Sequence, residues 1–340
     1  MVLAGDIGGT KTILALFSQE GGPHRPLIVG RYASNTCGSL TEIVTDFVTQ
    51  HQAAPLAATF GVAGPVQDRK VRITNLPWEL DADVLSESLN DVPVYLLNDL
   101  EAIAYAIPML EVADLVMLKS GERVATGPIA IVAPGTGLGE AYLFWDGKHY
   151  QPIPSEGGHT DFAPATALEL ELLAYLHPRL GHVSYERVCS GLGIPNLFSF
   201  LRDTGSFLVP EWLEEALVSR EDATPVIIRS ALENSSEICV ATLDLFIGIL
   251  GSEAGNLVLQ VLATGGVYLG GGIPPRIVPQ LQGRTFLEAF TRKGRLTDLL
   301  SRVSVDVITN PSAALFGAAN HCLTMVEESS FQVDHGGNQN

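Results

Sequence analysis

Two glycine-rich turns, each set between short apolar runs, constrain this chain more than any other feature. The first, in VLAGDIGGTKTILALF, places Gly5, Asp6, Ile7, Gly8, Gly9 and Thr10 between runs that suit buried strands. The second, in GPIAIVAPGTGLGEAYLFWDGKHY, repeats the device with Gly135, Thr136, Gly137 and Gly139. Neither is a standard nucleotide fingerprint. Thr10 stands where a P-loop counted from Gly5 needs its second glycine, the second turn is spaced G-x-G-x-G, and a strand follows each where those motifs need a helix. A glycine hairpin can still hold an anion, because successive N–H groups form a concavity and the missing side chains let a ligand approach. An ordinary hairpin turn uses the same residues and leaves Asp6 unexplained. One such hairpin near the start of each half predicts a duplicated fold, two lobes around a cleft.

Between the hairpins, SLTEIVTDFVTQHQ sets Leu40, Ile43, Val44, Phe47 and Val48 at helical spacing behind Ser39 or Thr41 as a cap. AATFGVAGPV and VPVYLLND read as further buried strands, and strands alternating with helices predict an α/β architecture. LEAIAYAIPML is helical up to Pro108, LGSEAGNLVLQVL is helical before the glycine cluster of LATGGVYLGGGIPP, and NPSAALFGAANHCLTMV forms a last helix. The polar EESSFQVDHGGNQN after it is expected as a disordered tail from 326 to 340.

At 340 residues the chain is long enough for two domains. Its formal net charge of −18 opposes nucleic acid and anionic lipid as partners. The four cysteines, Cys37, Cys189, Cys239 and Cys322, are scattered, which argues against a zinc site or disulfide framework and for reduced thiols in the cytosol. The longest apolar stretch, ICVATLDLFIGIL, is short and carries Asp244, so neither secretion nor membrane spanning is expected.

Two polar clusters draw attention. Asn98-Asp99 ends a strand, where α/β sheets carry functional groups, although capping the next helix is an equally ordinary use of the pair. PSEGGHTDFAP gathers Glu156, His159 and Asp161 around two glycines. One histidine with two carboxylates suits hydroxyl recognition better than metal binding, since carboxylates accept from hydroxyls and imidazole fixes one more.

GDIGGT, LLND, PGTGLG, EGGHTDFAP, GHVSYERVCSG and GGGIPPR occur in this order, and from Leu3 to Cys322 the chain closely resembles the bacterial glucokinase family of actin/hexokinase-like (ribonuclease H-like) sugar kinases. The resemblance implies a small lobe from 1–108 completed by a helix at 307–325, a large lobe from 109–306, and a cytoplasmic homodimer. It implies ATP-dependent phosphorylation of glucose to glucose 6-phosphate, the first step of glycolysis. Gly5 to Thr10 and Gly135 to Gly137 would hold the phosphates of ATP, and Gly270 and Gly271 would border the adenosine. Asn98, Asp99, Glu156, His159 and Glu186 match the glucose-holding positions, and Asp99 matches the catalytic base. Mg²⁺ would arrive with ATP, with Asp6 a candidate to orient it through water. Lys11-Thr12-Ile13 is more like the related repressor/kinase family, which carries a zinc-binding cysteine cluster after its Glu-x-Gly-His motif. Here no cysteine lies between His159 and Cys189, which favours the zinc-free group. Another hexose as substrate, a sugar-sensing regulator and an actin-like filament ATPase are the competing expectations. The charge and a first strand at about Val2 argue against the regulator.

Overall fold

A computed structural model describes residues 1–336 apart from 74–75, 206 and 219–221. The chain divides into two compact units, one of Met1–Ala113 with the segment from Asn310 onward, the other of Asp114–Thr309. The first unit begins with β1 (Val2–Ile7), β2 (Lys11–Phe17), β3 (Pro26–Ala33), α1 (Leu40–Gln50) and β4 (Ala58–Val62). The short β5 (Lys70–Arg72) and β6 (Glu79–Asp81), then α2 (Ala82–Ser88), β7 (Val94–Asn98) and α3 (Asp99–Ala106) follow. The second unit runs through β8 (Leu115–Lys119), β9 (Ile129–Pro134), β10 (Leu138–Trp145), β11 (Tyr150–Ser155), α4 (Ala167–Leu180) and α5 (Ile194–Asp203). It continues with α6 (Glu211–Val218), α7 (Thr224–Leu232), α8 (Glu237–Val261) and β12 (Gly266–Leu269). The unit ends with α9 (Val278–Leu281), α10 (Arg284–Thr291), α11 (Thr297–Arg302) and β13 (Val305–Ile308), and α12 (Ala313–Gly336) returns to the first unit.

The two main sheets repeat one topology. The first has the order β3-β2-β1-β4-β7, with two antiparallel pairings among β1, β2 and β3 and parallel pairings from β1 to β4 and β4 to β7. The second has the order β11-β10-β9-β12-β13-β8, antiparallel among β9, β10 and β11, parallel from β9 through β12 to β13, with β8 added antiparallel at the edge. The duplication expected from two glycine hairpins is therefore a duplication of whole sheets.

β1 and β2 read as continuous apolar runs because both faces of the sheet are covered. Leu3, Ile7, Leu14 and Leu16 join the core under α1 and α2, while Val2, Ala4, Ile13, Ala15 and Phe17 join Leu315, Ala318, Ala319 and Cys322 of α12. That side-to-side alternation is the strand period of two. α12 also lies against α3, whose Ala102, Ala104 and Ala106 are fully buried. The approach is closest at Gly317, where an added methyl would overlap the carbonyl of Ala102.

Helix α12 runs to Gly336, and residues 337–340 of the expected tail lie outside the described part. Val326 packs against the same cluster as Leu323, which carries the helix past the point where the sequence turns polar. α8, which joins the apolar ICVATLDLFIGIL to the helical LGSEAGNLVLQVL, is long and apolar enough by composition to cross a membrane. Its apolar residues are instead buried among α5, α7 and α10 in the second unit's core.

Candidate active site

In parallel strands the carboxyl ends line one sheet edge, and that edge carries the polar residues of the first unit. Ile7 pairs with Val62, and Val62 pairs with Asn98, so the glycine turn after β1 and the Asn98-Asp99 pair sit on the same edge. The turn is closed by Gly8 N–H donating to Lys11 O at 3.0 Å. Ser34 braces it: its hydroxyl donates to Gly8 O at 2.8 Å and its N–H to Thr10 O at 3.0 Å. Gly5 and Ile7 are core positions of β1. A methyl on Gly5 would lie 2.6 Å from Phe60 Cδ1, and Ile7 is buried, so neither presents a side chain to the turn.

Asn98 is the N-cap of α3. Its Oδ1 accepts from Leu100 N–H at 3.0 Å, its Nδ2 donates to Gly64 O at 3.0 Å, and Glu101 completes a capping box. Capping thus falls to Asn98, and Asp99 is the first helical residue, with Oδ1 accepting from Leu100 N–H at 2.9 Å. Asp99 stays accessible to solvent, yet the protein around it pushes its carboxyl above the ordinary range, opposed by the Leu100 N–H and then by Asn98. Asp6 is pushed up to about 6, by burial first and then by the Asp99 carboxylate, with Lys11 pulling the other way. A second carboxylate close to a buried one raises the cost of ionising it, as Asp99 does for Asp6.

In the second unit the hairpin after β9 is closed by Gly135 N–H donating to Gly137 O at 2.8 Å. The Gly270–Gly272 segment lies at the end of the adjacent β12, with Gly270 N–H donating to Val132 O and Ile273 N–H to Pro134 O. Gly271 has φ +79°, and an added methyl would come 2.5 Å from Pro134 O, so the position demands glycine twice over.

Glu156, His159 and Glu186 are drawn together around this hairpin. Glu186 Oε2 accepts from Leu138 N–H at 3.0 Å and would collide with any side chain at Gly137. His159 Nδ1 lies 3.9 Å from Glu186 Oε1, and its Nε2 lies 3.8 Å from Glu156 Oε2. These gaps exceed hydrogen-bond length, so a hydroxyl can enter between the groups. The side chains of Glu156 and His159 are 90% and 58% exposed against 17% for Glu186, so the first two are reachable from solvent while Glu186 is held in place. Asp161 is turned elsewhere, to His182 Nε2 at 3.1 Å.

Ser190 and Gly191 end the motif GHVSYERVCSG, but the contact that the loop Ser190–Gly193 makes with the hairpin was not read from the sequence. Gly191 N–H donates to Gly135 O at 2.8 Å and Leu192 N–H to Thr136 O at 3.1 Å, so this loop buttresses the hairpin from behind. Its Ser-Gly-Leu-Gly composition was the available signal.

A doubled sheet of this order, with a braced glycine hairpin in each unit, is the fold of the actin/hexokinase-like sugar kinases. The chain belongs to the glucokinase family, whose model, Glucokinase, matches residues 3–325. It is similar to the glucokinase of Nostoc punctiforme, with 41% identity covering 94% of this chain and 98% of that protein. It is similar also to the glucokinase of Trichormus variabilis, with 39% identity over 94% of this chain and 98% of that protein. Among solved structures, the glucokinase from an Antarctic psychrotroph matches with a TM-score of 0.83 at 32% identity, covering 95% of this chain and 98% of that one.

Proposed function

We propose that the protein transfers the γ-phosphoryl group of ATP to the 6-hydroxyl of glucose, giving glucose 6-phosphate and ADP. The observation that carries this reading is the Glu186 carboxylate, which holds the Leu138 N–H of a glycine hairpin with one oxygen and faces His159 with the other. A hydroxyl-reading cluster and an anion-holding turn thus share one side chain, as transfer of a phosphoryl group to a sugar requires. Glu156, His159, Glu186 and Asn98 read hydroxyls, while Asp99 takes the proton of the 6-hydroxyl as its oxygen attacks the γ-phosphorus. Amides of the turns at 8–10 and 135–137 hold the phosphates, and Gly270 and Gly271 border the nucleoside. Mg²⁺, bound with ATP, would neutralise phosphate charge, with Asp6 orienting it through water. The four free cysteines suit a cytoplasmic enzyme, and family resemblance suggests a homodimer.

An ADP-release assay over a panel of hexoses and N-acetylated sugars tests the assignment; no stimulation by glucose, or a stronger one by another sugar, sinks it. Glu156→Gln is expected to raise the glucose KM about tenfold or more with a smaller change in kcat, because its task is to hold hydroxyls remote from the reacting one. Equal losses in kcat and kcat/KM would move Glu156 into the chemical step.

The raised carboxyls set the acid side of the pH profile. Both Asp6 and Asp99 act ionised, and Asp6 titrates at about 6, so kcat/KM is expected to fall as pH drops through about 6, well above the ordinary carboxylate range. A profile flat down to about pH 4.5 would contradict this.

A further inference from the structure

Beneath the loop that carries Glu156 and His159 lies a carboxyl pair with no part in the proposed chemistry. Glu140 on β10 and Glu253 on α8 are each 1% exposed. Glu140 pairs across the sheet with Ser155, whose hydroxyl accepts from Gly157 N–H at 3.0 Å. An added methyl on Gly157 would overlap Glu140 Oε2, so the carboxyl group is the floor on which the loop rests. Glu253 is held from the opposite side. Asn256 Nδ2 donates to Glu253 Oε2 and to the Tyr185 hydroxyl, both at 2.8 Å, and Lys293 Nζ donates to Asn256 Oδ1 and to Ser252 O. Tyr185 begins the turn Tyr185–Arg187, which carries Glu186. The Oε1 atom of Glu140 has no hydrogen-bond partner although it is buried, as ill suits a carboxylate and better suits a neutral acid.

We propose that Glu140 and Glu253, joined by one shared proton, are positioning residues for sugar binding: Glu140 donates to Glu253, and the pair fixes His159 through Gly157 and Glu186 through Tyr185. The proposal rests on the reading of Glu156, His159 and Glu186 as the sugar-holding cluster. Other groups facing the pair are Tyr142 on β10, Tyr185, Cys189, and Lys293 with Glu169 and Arg292 behind it. Burial raises the Glu253 carboxyl above the ordinary range, while the donors Asn256 and Tyr185 and then the Lys293 charge favour its ionised form. Burial, followed by the Glu253 carboxylate, pushes Glu140 up to about 8, so the proton stays at neutral pH and leaves in alkali. Its loss sets two anions face to face in a dry site and drives the floor away from Gly157.

The test measures glucose KM and kcat at saturating MgATP from about pH 7 to about pH 9.5, with calorimetric glucose binding over the same range. For the native protein the glucose KM and Kd are expected to rise about tenfold across that range while kcat changes little. Glu140→Gln, a permanently neutral donor of the same shape, is expected to match the native values at pH ~7 and to lose the rise. Glu140→Ala, which removes the floor, is expected to weaken binding already at neutral pH; if it fails to fold, Glu140→Gln decides. A flat native profile, or the same alkaline rise in Glu140→Gln, overturns the proposal. Absence of glucose phosphorylation by the native protein at neutral pH overturns the functional reading, whereas intact turnover with a flat KM overturns only the positioning role.

Discussion

Asp99→Asn is expected to lower kcat by about 100-fold or more while changing glucose affinity by no more than about tenfold. The amide keeps the shape of the carboxyl, and its oxygen can still accept from the Leu100 N–H as Asp99 does at 2.9 Å. What it lacks is the capacity to take up a proton, so the loss falls on the transition state and not on the ground state. Helix capping is untouched, because Asn98 performs it. The fold should therefore survive, and thermal unfolding of the variant beside the native protein checks that directly. Calorimetric glucose binding and a coupled turnover assay on the same preparation separate affinity from catalysis. A near-native kcat would reduce Asp99 to a binding group and leave the reaction without its base.

Gly317→Ala is expected to be the most damaging single methyl in the first unit. The added carbon would overlap the carbonyl of Ala102 and press on the Ala106 amide, both of them backbone atoms of α3 that no rotamer change can move. Relief requires α12 and α3 to separate, and overpacking of a tight contact costs typically about 1–3 kcal/mol, with this case at the upper end. The melting temperature should drop by about 6–12 °C on that basis. Since α3 begins at Asp99, residual folded protein should also show reduced kcat. A melting temperature within about 2 °C of the native value would mean that the helix pair is looser than its geometry implies.

The hairpins were legible because a glycine turn between two apolar runs is a local signal, and each lies where the sequence placed it. The helix behind Ser39 was equally local: Leu40–Gln50 is capped by that serine, which accepts from Glu42 N–H. The ribbon of β5 and β6, three residues each, is too short to give such a signal, and the edge strand β8 is a brief apolar run with no glycine turn at its side. Glu156, His159 and Glu186 could be named through resemblance, but the hold of Glu186 on the Leu138 amide could not, since that bond joins residues 48 positions apart. Glu140 was invisible for the same reason. A glutamate within GEAYLF looks like an outward-facing strand residue, and only the meeting of β10 with α8 puts a second carboxyl against it.

The return of α12 to the first unit has a consequence for how the protein is made. Helix α3, with Asp99 at its first turn, and strands β1 and β4 rest on a helix that follows the whole second unit in the chain. The second unit, Asp114–Thr309, is contiguous and can gather its core during synthesis, whereas the first waits with its α12-facing strand surface uncovered until α12 has been made. Chains that stop short of α12 should accordingly be silent as kinases, so that phosphorylating capacity appears only once that helix has been made.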